Sequence, residues 1–145
     1  MGNLSKDINS KFANVKIKAM INVLYTANWI TSFQNEFFKP HGISPQQFNI
    51  LKILNGANEP LKVQTIKERM IDRSPNATRL MDKLHAKDYI KRLPSSADRR
   101  VVFIEITEKG KTLLSSISAD FNDDLVKNLT EGDAQLLSDL LDKMR

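Results

Sequence analysis

The sequence has no cysteine and only two histidines, His41 and His85, among its 145 residues. Without cysteine the chain can form no disulfide, no thiolate zinc site and no thiol-based redox switch. The two histidines are far apart and are more simply a loop residue and a helix-surface residue than metal ligands. Glycine-rich phosphate loops, nucleophile elbows and metal triads are also missing, so we expect neither an enzyme nor a metal or other cofactor.

Long apolar runs are missing as well. The sequence has no stretch of 18 apolar residues and no signal-peptide pattern, so we expect no membrane contact and a cytoplasmic protein. The hydrophobic fraction of 41% and the charged fraction of 27% are ordinary for a globular protein. At this length we expect a single domain that spans residues 1–145.

The net charge of +5 is concentrated in one block of the chain. Residues 59–111 carry 13 Lys or Arg against 8 Asp or Glu, and the remaining residues carry nine of each sign. A basic block between neutral flanks suits a face that meets a polyanion, although such a block can also be an ordinary solvated surface. The charge therefore favours nucleic acid as a partner if a binding motif lies in the same block.

The first forty residues predict one long helix, or two helices in line. Residues 8–38 contain no proline or glycine, and apolar side chains recur there every three or four positions. A second apolar set, from Ile17 to Leu24, lies on the opposite side of this helix. Such a helix needs more than one neighbour. It could be the core of a larger domain, but a second copy of this short chain satisfies it more simply.

Short helices joined by a tight connection follow. Ser44 and Pro45 predict the start of one helix, residues 61–70 predict another, and Ser74 begins a third. The apolar stripe of the third helix consists of Ala77, Leu80, Met81 and Leu84. The last two helices have the layout of a helix-turn-helix, whose second helix enters a DNA major groove, although a helical hairpin in an ordinary core has the same pattern.

A hairpin follows the third of these helices. Residues 89–93 and 100–106 predict two strands, and residues 94–98 between them predict a turn. A hairpin in this position is a wing. Thr107 then begins another helix, and a capping box at Thr130 opens the final one. Both ends of the chain are therefore helical and apolar-striped, as an assembly surface would be.

Four segments of the sequence, taken with their order and spacing, carry a resemblance to a known family. They are Gly42-Ile43-Ser44-Pro45-Gln46-Gln47-Phe48, Asp72-Arg73-Ser74 with Thr78-Arg79-Leu80-Met81-Asp82-Lys83-Leu84, Asp98-Arg99-Arg100, and Val102 to Ile106 running into Thr107-Glu108-Lys109-Gly110. Together they resemble the MarR (multiple antibiotic resistance regulator) family of winged helix-turn-helix transcription factors. The resemblance extends from Ile17 to the C-terminus.

The resemblance implies a mainly α fold with a small β-hairpin wing. Residues 44–111 would form the winged helix-turn-helix, and the flanking residues 1–40 and 112–145 would form N- and C-terminal dimerisation helices. The resemblance also implies an obligate homodimer that holds two winged modules over successive major grooves of a pseudo-palindromic operator. Residues 74–87 would be the recognition helix. Arg100, positioned by Asp98 through a charge-assisted bond, would enter the minor groove.

Three features depart from the family pattern. Asp88 stands where the family commonly has glycine, and aspartate tolerates a left-handed helix cap less well. Asn76 beside Pro75 is not the usual pair, so the bases that are read can differ from those of the family. Residues 1–16 form an N-terminal extension that the resemblance does not explain.

The chemistry of the side chains assigns roles in DNA binding. Base readout needs paired donors and acceptors near a helix N-terminus, whereas single cations and helix-start amides suit phosphates. The expected base readers are Asn76, Thr78 and Arg79; the expected phosphate contacts are Lys62, Arg73, Ser74, Lys83 and Lys87; the expected wing residues are Asp98, Arg99 and Arg100. The alternative for Arg100 is an ordinary solvent-exposed arginine of a hairpin.

We therefore expect a sequence-specific, double-stranded DNA-binding transcriptional regulator, which acts as a homodimeric repressor that a small-molecule effector releases. Tyr25, Trp29 and Phe33 are candidates for lining an effector cleft, although aromatic residues at helical spacing are more often core. Two alternatives stay open. One is a nonspecific architectural DNA-binding protein, and the other is a winged-helix protein-interaction module that does not touch DNA.

Overall fold

The computed structural model describes residues 2–73, 75–117 and 120–145 as a mainly helical protein with one small antiparallel sheet. The helices are α1 (Leu4–Asp7), α2 (Val15–Phe38), α3 (Pro45–Ala57), α4 (Val63–Arg69), α5 (Ala77–Ala86), α6 (Glu108–Ser116), α7 (Asp123–Val126) and α8 (Glu131–Met144), with a 3-10 turn at Lys39–His41. The strands are β1 (Leu61–Lys62), β2 (Ile90–Pro94) and β3 (Val102–Ile106). No described helix is both long enough and apolar enough to cross a membrane.

The chain divides into two compact units. The central unit comprises residues 31–117, and the terminal unit comprises residues 1–30 together with 118–145. Helices α3 to α6 and the three strands belong to the central unit, whereas α1, α7 and α8 belong to the terminal unit. Helix α2 contributes residues to both units.

The central unit is built around α3. Its residues Ile50, Leu51 and Leu54 are buried, and α3 contacts α4, α5, α6 and β3. The sheet has the strand order β1-β3-β2, and both neighbouring pairs are antiparallel. Ile104 of the middle strand is fully buried and pairs with Leu61 of β1. The predicted mainly α fold with a small β wing is thus confirmed, and a short third strand joins the wing to the core.

Two element boundaries, at residues 8–14 and at residues 61–62, differ from the sequence predictions. Residues 8–14 are not helical. Asn9 adopts a left-handed backbone conformation with φ 47°, and the side chain of Asn14 accepts a hydrogen bond from the backbone N–H of Ile17 at 2.9 Å. This is the pattern of a helix start, so α2 begins only at Val15. Similarly, residues 61–62 form β1 instead of a helical turn, because they pair with β3.

The helix predicted from Ser74 begins later, at Ala77. Ser74 itself lies outside the described residues, and Pro75 and Asn76 form a turn. The wing strands are also shifted: Pro94 belongs to β2, because an edge strand tolerates proline, whereas Arg100 lies in the turn before β3. These shifts leave the order of the elements as predicted.

The terminal unit exposes an unusual amount of apolar surface. Side chains that are at least 50% exposed in this chain include Val15, Leu24, Trp29, Leu136, Leu140 and Met144. They lie on α2 and α8, the first and last long helices. Apolar side chains at this density are expected to be covered by another surface.

Helix α8 starts with the predicted capping box. The Thr130 hydroxyl accepts a hydrogen bond from the Asp133 backbone N–H at 3.2 Å, and the Asp133 carboxylate accepts one from the Thr130 backbone N–H at 3.1 Å. The side-chain and backbone hydrogen bonds from Thr130 hold the pKa of the Asp133 carboxyl below its usual value. The capping contribution is therefore present at neutral pH and is lost as the pH falls through the lowered pKa.

Hydrogen bonds to three consecutive backbone carbonyl groups connect the end of α5 to the start of α6. The Lys87 carbonyl accepts from the Lys109 ammonium at 2.9 Å, the Asp88 carbonyl from the Thr107 hydroxyl at 2.6 Å, and the Tyr89 carbonyl from the Thr107 N–H at 3.0 Å. Asp88 has φ 62°, so it adopts the left-handed conformation that ends many helices, although aspartate tolerates it less well than glycine. The chain therefore leaves α5 and enters β2 along one fixed path.

Gly110 makes this close approach possible. A Cβ atom at this position would lie 2.4 Å from the Tyr89 carbonyl oxygen and 2.8 Å from Cγ1 of Ile106. We predict that Gly110→Ala lowers the free energy of unfolding by about 1–3 kcal/mol, because backbone and core atoms must move apart. Urea denaturation of the purified variant measures this change.

Gly56 provides the matched control on α3. A Cβ atom at Gly56 would meet no atom within 4 Å. Gly56→Ala should therefore raise the free energy of unfolding by about 0.5–1 kcal/mol, since alanine favours a helix over glycine. Equal effects of the two substitutions would contradict the proposed crowding at Gly110.

Candidate nucleic-acid interface

Helix α5 has one buried face and one exposed face, as its sequence pattern predicts. Ala77, Met81 and Leu84 are buried against the central core. Thr78 and Lys83 are exposed on the other face. The helix is therefore fixed by its apolar stripe and presents its polar side chains outwards.

The three predicted base readers lie together at the N-terminal end of α5. Asn76 is the N-cap residue, with φ −82° and ψ 2°, and Thr78 and Arg79 lie in the first turn. All three residues are exposed. Asn76 precedes the helix instead of belonging to it, because α5 begins at Ala77.

The predicted phosphate contacts lie on different elements of the central unit. Lys62 in β1 is exposed, and so are Arg73 and Lys83. The Lys87 ammonium donates a hydrogen bond to the Gly42 carbonyl and so connects the end of α5 to the turn before α3. Lys87 thus has a structural contact that the sequence did not predict, and its contact with phosphate stays a prediction.

Gln47 is the buried polar side chain that connects α3 to α5. It is 5% exposed. Its Oε1 accepts a hydrogen bond from the Ser44 backbone N–H at 2.9 Å, and its Nε2 donates one to the Leu80 carbonyl at 3.3 Å. The Ser44 hydroxyl completes a capping box by accepting from the Gln47 backbone N–H at 3.1 Å. One amide therefore caps α3 and holds the middle of α5.

Two further polar side chains of α3 hold the chain that leads to α5. The Asn49 carbonyl oxygen accepts a hydrogen bond from the backbone N–H of Ile71 at 3.0 Å. The Gln46 amide donates one to the Asp72 carboxylate at 3.5 Å. Residues Ile71 and Asp72, at the start of the connection between α4 and α5, are thus held by α3.

The wing turn is organised by Asp98. Its carboxylate accepts a hydrogen bond from the backbone N–H of Arg100 at 2.9 Å, and its carbonyl accepts one from Val101 at 3.0 Å. The charge-assisted bond predicted between Asp98 and Arg100 is therefore made to the backbone amide. Both Arg99 and Arg100 are exposed, and neither has an ion pair with another described residue.

An ion pair connects α5 to the wing. The Arg92 guanidinium of β2 contacts the Asp82 carboxylate of α5. Within the wing, the Lys91 ammonium lies 2.9 Å from the Glu105 carboxylate of the paired strand. Both pairs are partly exposed, so each contributes little stability, but the first restrains the wing relative to α5.

Comparisons with known proteins agree with this geometry. A model of the MarR family matches residues 43–102. The chain is 32% identical to the HTH-type transcriptional regulator MhqR of Bacillus subtilis, over 79% of this chain and 81% of that protein. It is 30% identical to the multiple antibiotic resistance protein MarR of Escherichia coli, over 76% of this chain and 78% of that protein. The chain belongs to the MarR family of transcriptional regulators.

A solved structure extends the likeness to MarR. The crystal structure of a cysteine-to-serine mutant of Escherichia coli MarR complexed with operator DNA has a TM-score of 0.79 to this chain at 26% identity. The match covers 93% of this chain and 99% of that one. The winged helix-turn-helix of the central unit therefore has the MarR-family fold, and the family model covers its residues 43–102.

The three residues of this MarR-family chain that are predicted to line an effector cleft differ in their exposure and in the unit to which they belong. Tyr25 and Trp29 lie in the terminal unit and are 41% and 50% exposed, whereas Phe33 lies in the central unit and is partly buried. The effector cleft that they were expected to line stays a prediction. Within residues 2–73, 75–117 and 120–145, no group of three or more possible ligands could hold a metal ion.

The structural contacts of the polar residues of α3 were not predicted from the sequence. Gln47 had a recognisable signature, because serine followed three residues later by glutamine before an apolar run indicates a capping box. Its second bond, to Leu80, joins residues 33 positions apart, and no local pattern predicts such a contact.

A conservative substitution tests the double role of Gln47. We predict that Gln47→Glu lowers the free energy of unfolding at pH 7 by about 1–3 kcal/mol, because a carboxylate still caps α3 but repels the Leu80 carbonyl. The loss should shrink as the pH is lowered, since a protonated carboxyl can again donate to that carbonyl. Urea denaturation at several pH values measures both effects.

Asn55→Asp is the matched control, because Asn55 lies on the same helix and is exposed. It introduces the same charge without burial and should change the free energy of unfolding by less than about 0.5 kcal/mol. If Gln47→Glu were as stable as this control at pH 7, the bond to Leu80 would have no role in holding α5.

Proposed function

We propose that this MarR-family chain binds double-stranded DNA in a sequence-specific manner and represses transcription as a homodimer that a small-molecule effector releases. The observation that carries DNA binding is the exposed N-terminal end of α5, where Asn76, Thr78 and Arg79 project beside a wing with two exposed arginines. Arginine pairs with guanine and asparagine with adenine in the major groove. The wing arginine Arg100 suits a narrow minor groove, where the potential is most negative.

A homologue supports DNA as the partner. The Escherichia coli MarR mutant of the same fold was crystallised with operator DNA. The segment that the family model covers, residues 43–102, includes α5 and most of the wing. We therefore assign the predicted base, phosphate and minor-groove contacts to α5, the wing and the residues around them in this chain. The proposed location is the cytoplasm.

The homodimer is supported by the apolar surface of the terminal unit. Leu136 and Leu140 of α8 are 59% and 55% exposed, and Val15 of α2 is 81% exposed. Isologous pairing of two copies would cover the same patch on each. A dimer would also place two α5 helices on successive major grooves about 34 Å apart, which a single chain cannot do.

Repression and release are the finer parts of the proposal. A regulator that occupies a promoter blocks transcription until its affinity for DNA falls, and an effector lowers it by binding the free form more tightly. Tyr25 and Trp29 are exposed aromatic side chains on α2 that suit contact with such a ligand, and Phe33, the third candidate, is partly buried.

Competition between DNA fragments tests the function. A palindromic operator obtained by selection should bind about 10³-fold or more tightly than random DNA at physiological salt, and a half-site fragment should bind much more weakly than the full site. Affinity should also fall steeply with salt, because phosphate contacts release counterions. Equal affinity for operator and random DNA would favour the architectural protein, and binding of neither would favour the protein-interaction module.

Arg100→Ala tests the wing. We predict that it weakens operator binding by about 1–3 kcal/mol at fixed salt, because the side chain no longer enters the minor groove. Thermal unfolding should be unchanged, since the bond from Asp98 is made to the backbone of residue 100. Arg145→Ala removes the same charge from the end of α8 and should leave the affinity unaltered; an equal loss in both variants would indicate a general charge effect.

A further inference from the structure

Ile71 is an apolar side chain in an unexpected place. It is 90% exposed, more than any other large hydrophobic residue described. The other exposed large hydrophobic residues belong to the terminal unit, where dimerisation would cover them. In the described part of the central unit, Ile71 is therefore the one large apolar side chain whose exposure the homodimer does not explain.

The backbone at Ile71 is held, so the exposed side chain is presented from a fixed position. Its N–H donates to the Asn49 side chain of α3 at 3.0 Å. The preceding residue, Met70, is 4% exposed, and the following residue, Asp72, accepts a bond from Gln46 of α3 at 3.5 Å. Buried and hydrogen-bonded neighbours on both sides leave the Ile71 side chain directed away from the core.

The position of Ile71 in the chain places it beside the proposed base-reading surface. It belongs to the connection from α4 to α5, two residues before Arg73 and five residues before Asn76, and all three of these residues are exposed. A DNA duplex that received the N-terminal end of α5 in its major groove would come close to this connection, because the connection leads directly into that end. The apolar group that the major groove offers is the C5-methyl group of thymine.

We propose that Ile71 contacts a thymine methyl group in each operator half-site and so determines specificity at that base pair. The inference rests on the proposed function, because it requires specific DNA binding. Covering one methyl group and part of an isoleucine removes apolar area from water, and the expected effect is about three- to tenfold in affinity. The contact discriminates thymine from cytosine, which has no methyl group there.

A double-mutant cycle between protein and DNA tests the contact. Wild-type protein and Ile71→Ala are titrated with the selected operator and with operators in which individual thymines are replaced by deoxyuridine, which lacks only the methyl group. At one symmetry-related thymine pair, the wild type should lose about three- to tenfold in affinity. Ile71→Ala should show the same loss on the unmodified operator and no further loss at that pair.

The controls separate this contact from folding and from the general function. Ile71→Ala should unfold at the wild-type temperature, because the side chain is 90% exposed. Arg100→Ala should keep the wild-type sensitivity to deoxyuridine. Wild-type indifference to every methyl group, or losses from Ile71→Ala and deoxyuridine that add at every thymine, would overturn the inference while operator binding itself stands. Equal binding of operator and random DNA would overturn the proposed function and this contact together.

Discussion

The packing of α3 is the constraint on which the rest of the central unit depends. Ile50, Leu51 and Leu54 are buried on this helix, and α4, α5, α6 and β3 all contact it. Elements that pack against one common helix have their positions relative to one another fixed by that helix. The elements that would meet DNA, α5 and the wing, are therefore placed relative to one another through α3, and the Asp82–Arg92 pair adds a direct connection between them.

Polar contacts of α3 supply what its apolar packing cannot. Burial of leucine and isoleucine stabilises the unit but is not directional, so it tolerates small rotations and shifts of one helix on another. The bond from Gln47 to the Leu80 carbonyl and the bond from the Ile71 N–H to Asn49 require particular atoms to face each other. Base readout depends on such registration, because a side chain misplaced by one ångström loses its paired hydrogen bonds.

The sequence predicts much of this fold because its local rules agree with one another. The stripe from Ala77 to Leu84 has the helical period, Ser44 and Thr130 are capping residues, and the β-branched run in β3 reads as a strand. The boundaries at Ala77 and at β1 were missed, because Pro75 and Asn76 suit a turn as well as a helix start, and a strand of two residues has no period. The exposure of Ile71 could not be predicted, since it depends on bonds from a helix more than twenty residues away.

The charges of residues 59–111 are divided between the fold and the exposed surface. Lys91, Arg92 and Lys111 form ion pairs, and Lys87 and Lys109 donate to backbone carbonyls. Such cations are already partly neutralised or engaged, so they release fewer counterions on DNA than the net charge suggests.

The remaining cations of residues 59–73 and 75–111 have no such contact described. They are Lys62, Lys67, Arg69, Arg73, Arg79, Lys83, Arg99 and Arg100. Most of them are the residues that side-chain chemistry assigns to bases, phosphates and the minor groove. Four of these eight cations, Arg79, Lys83, Arg99 and Arg100, lie on α5 and in the turn of the wing, the elements proposed to meet DNA.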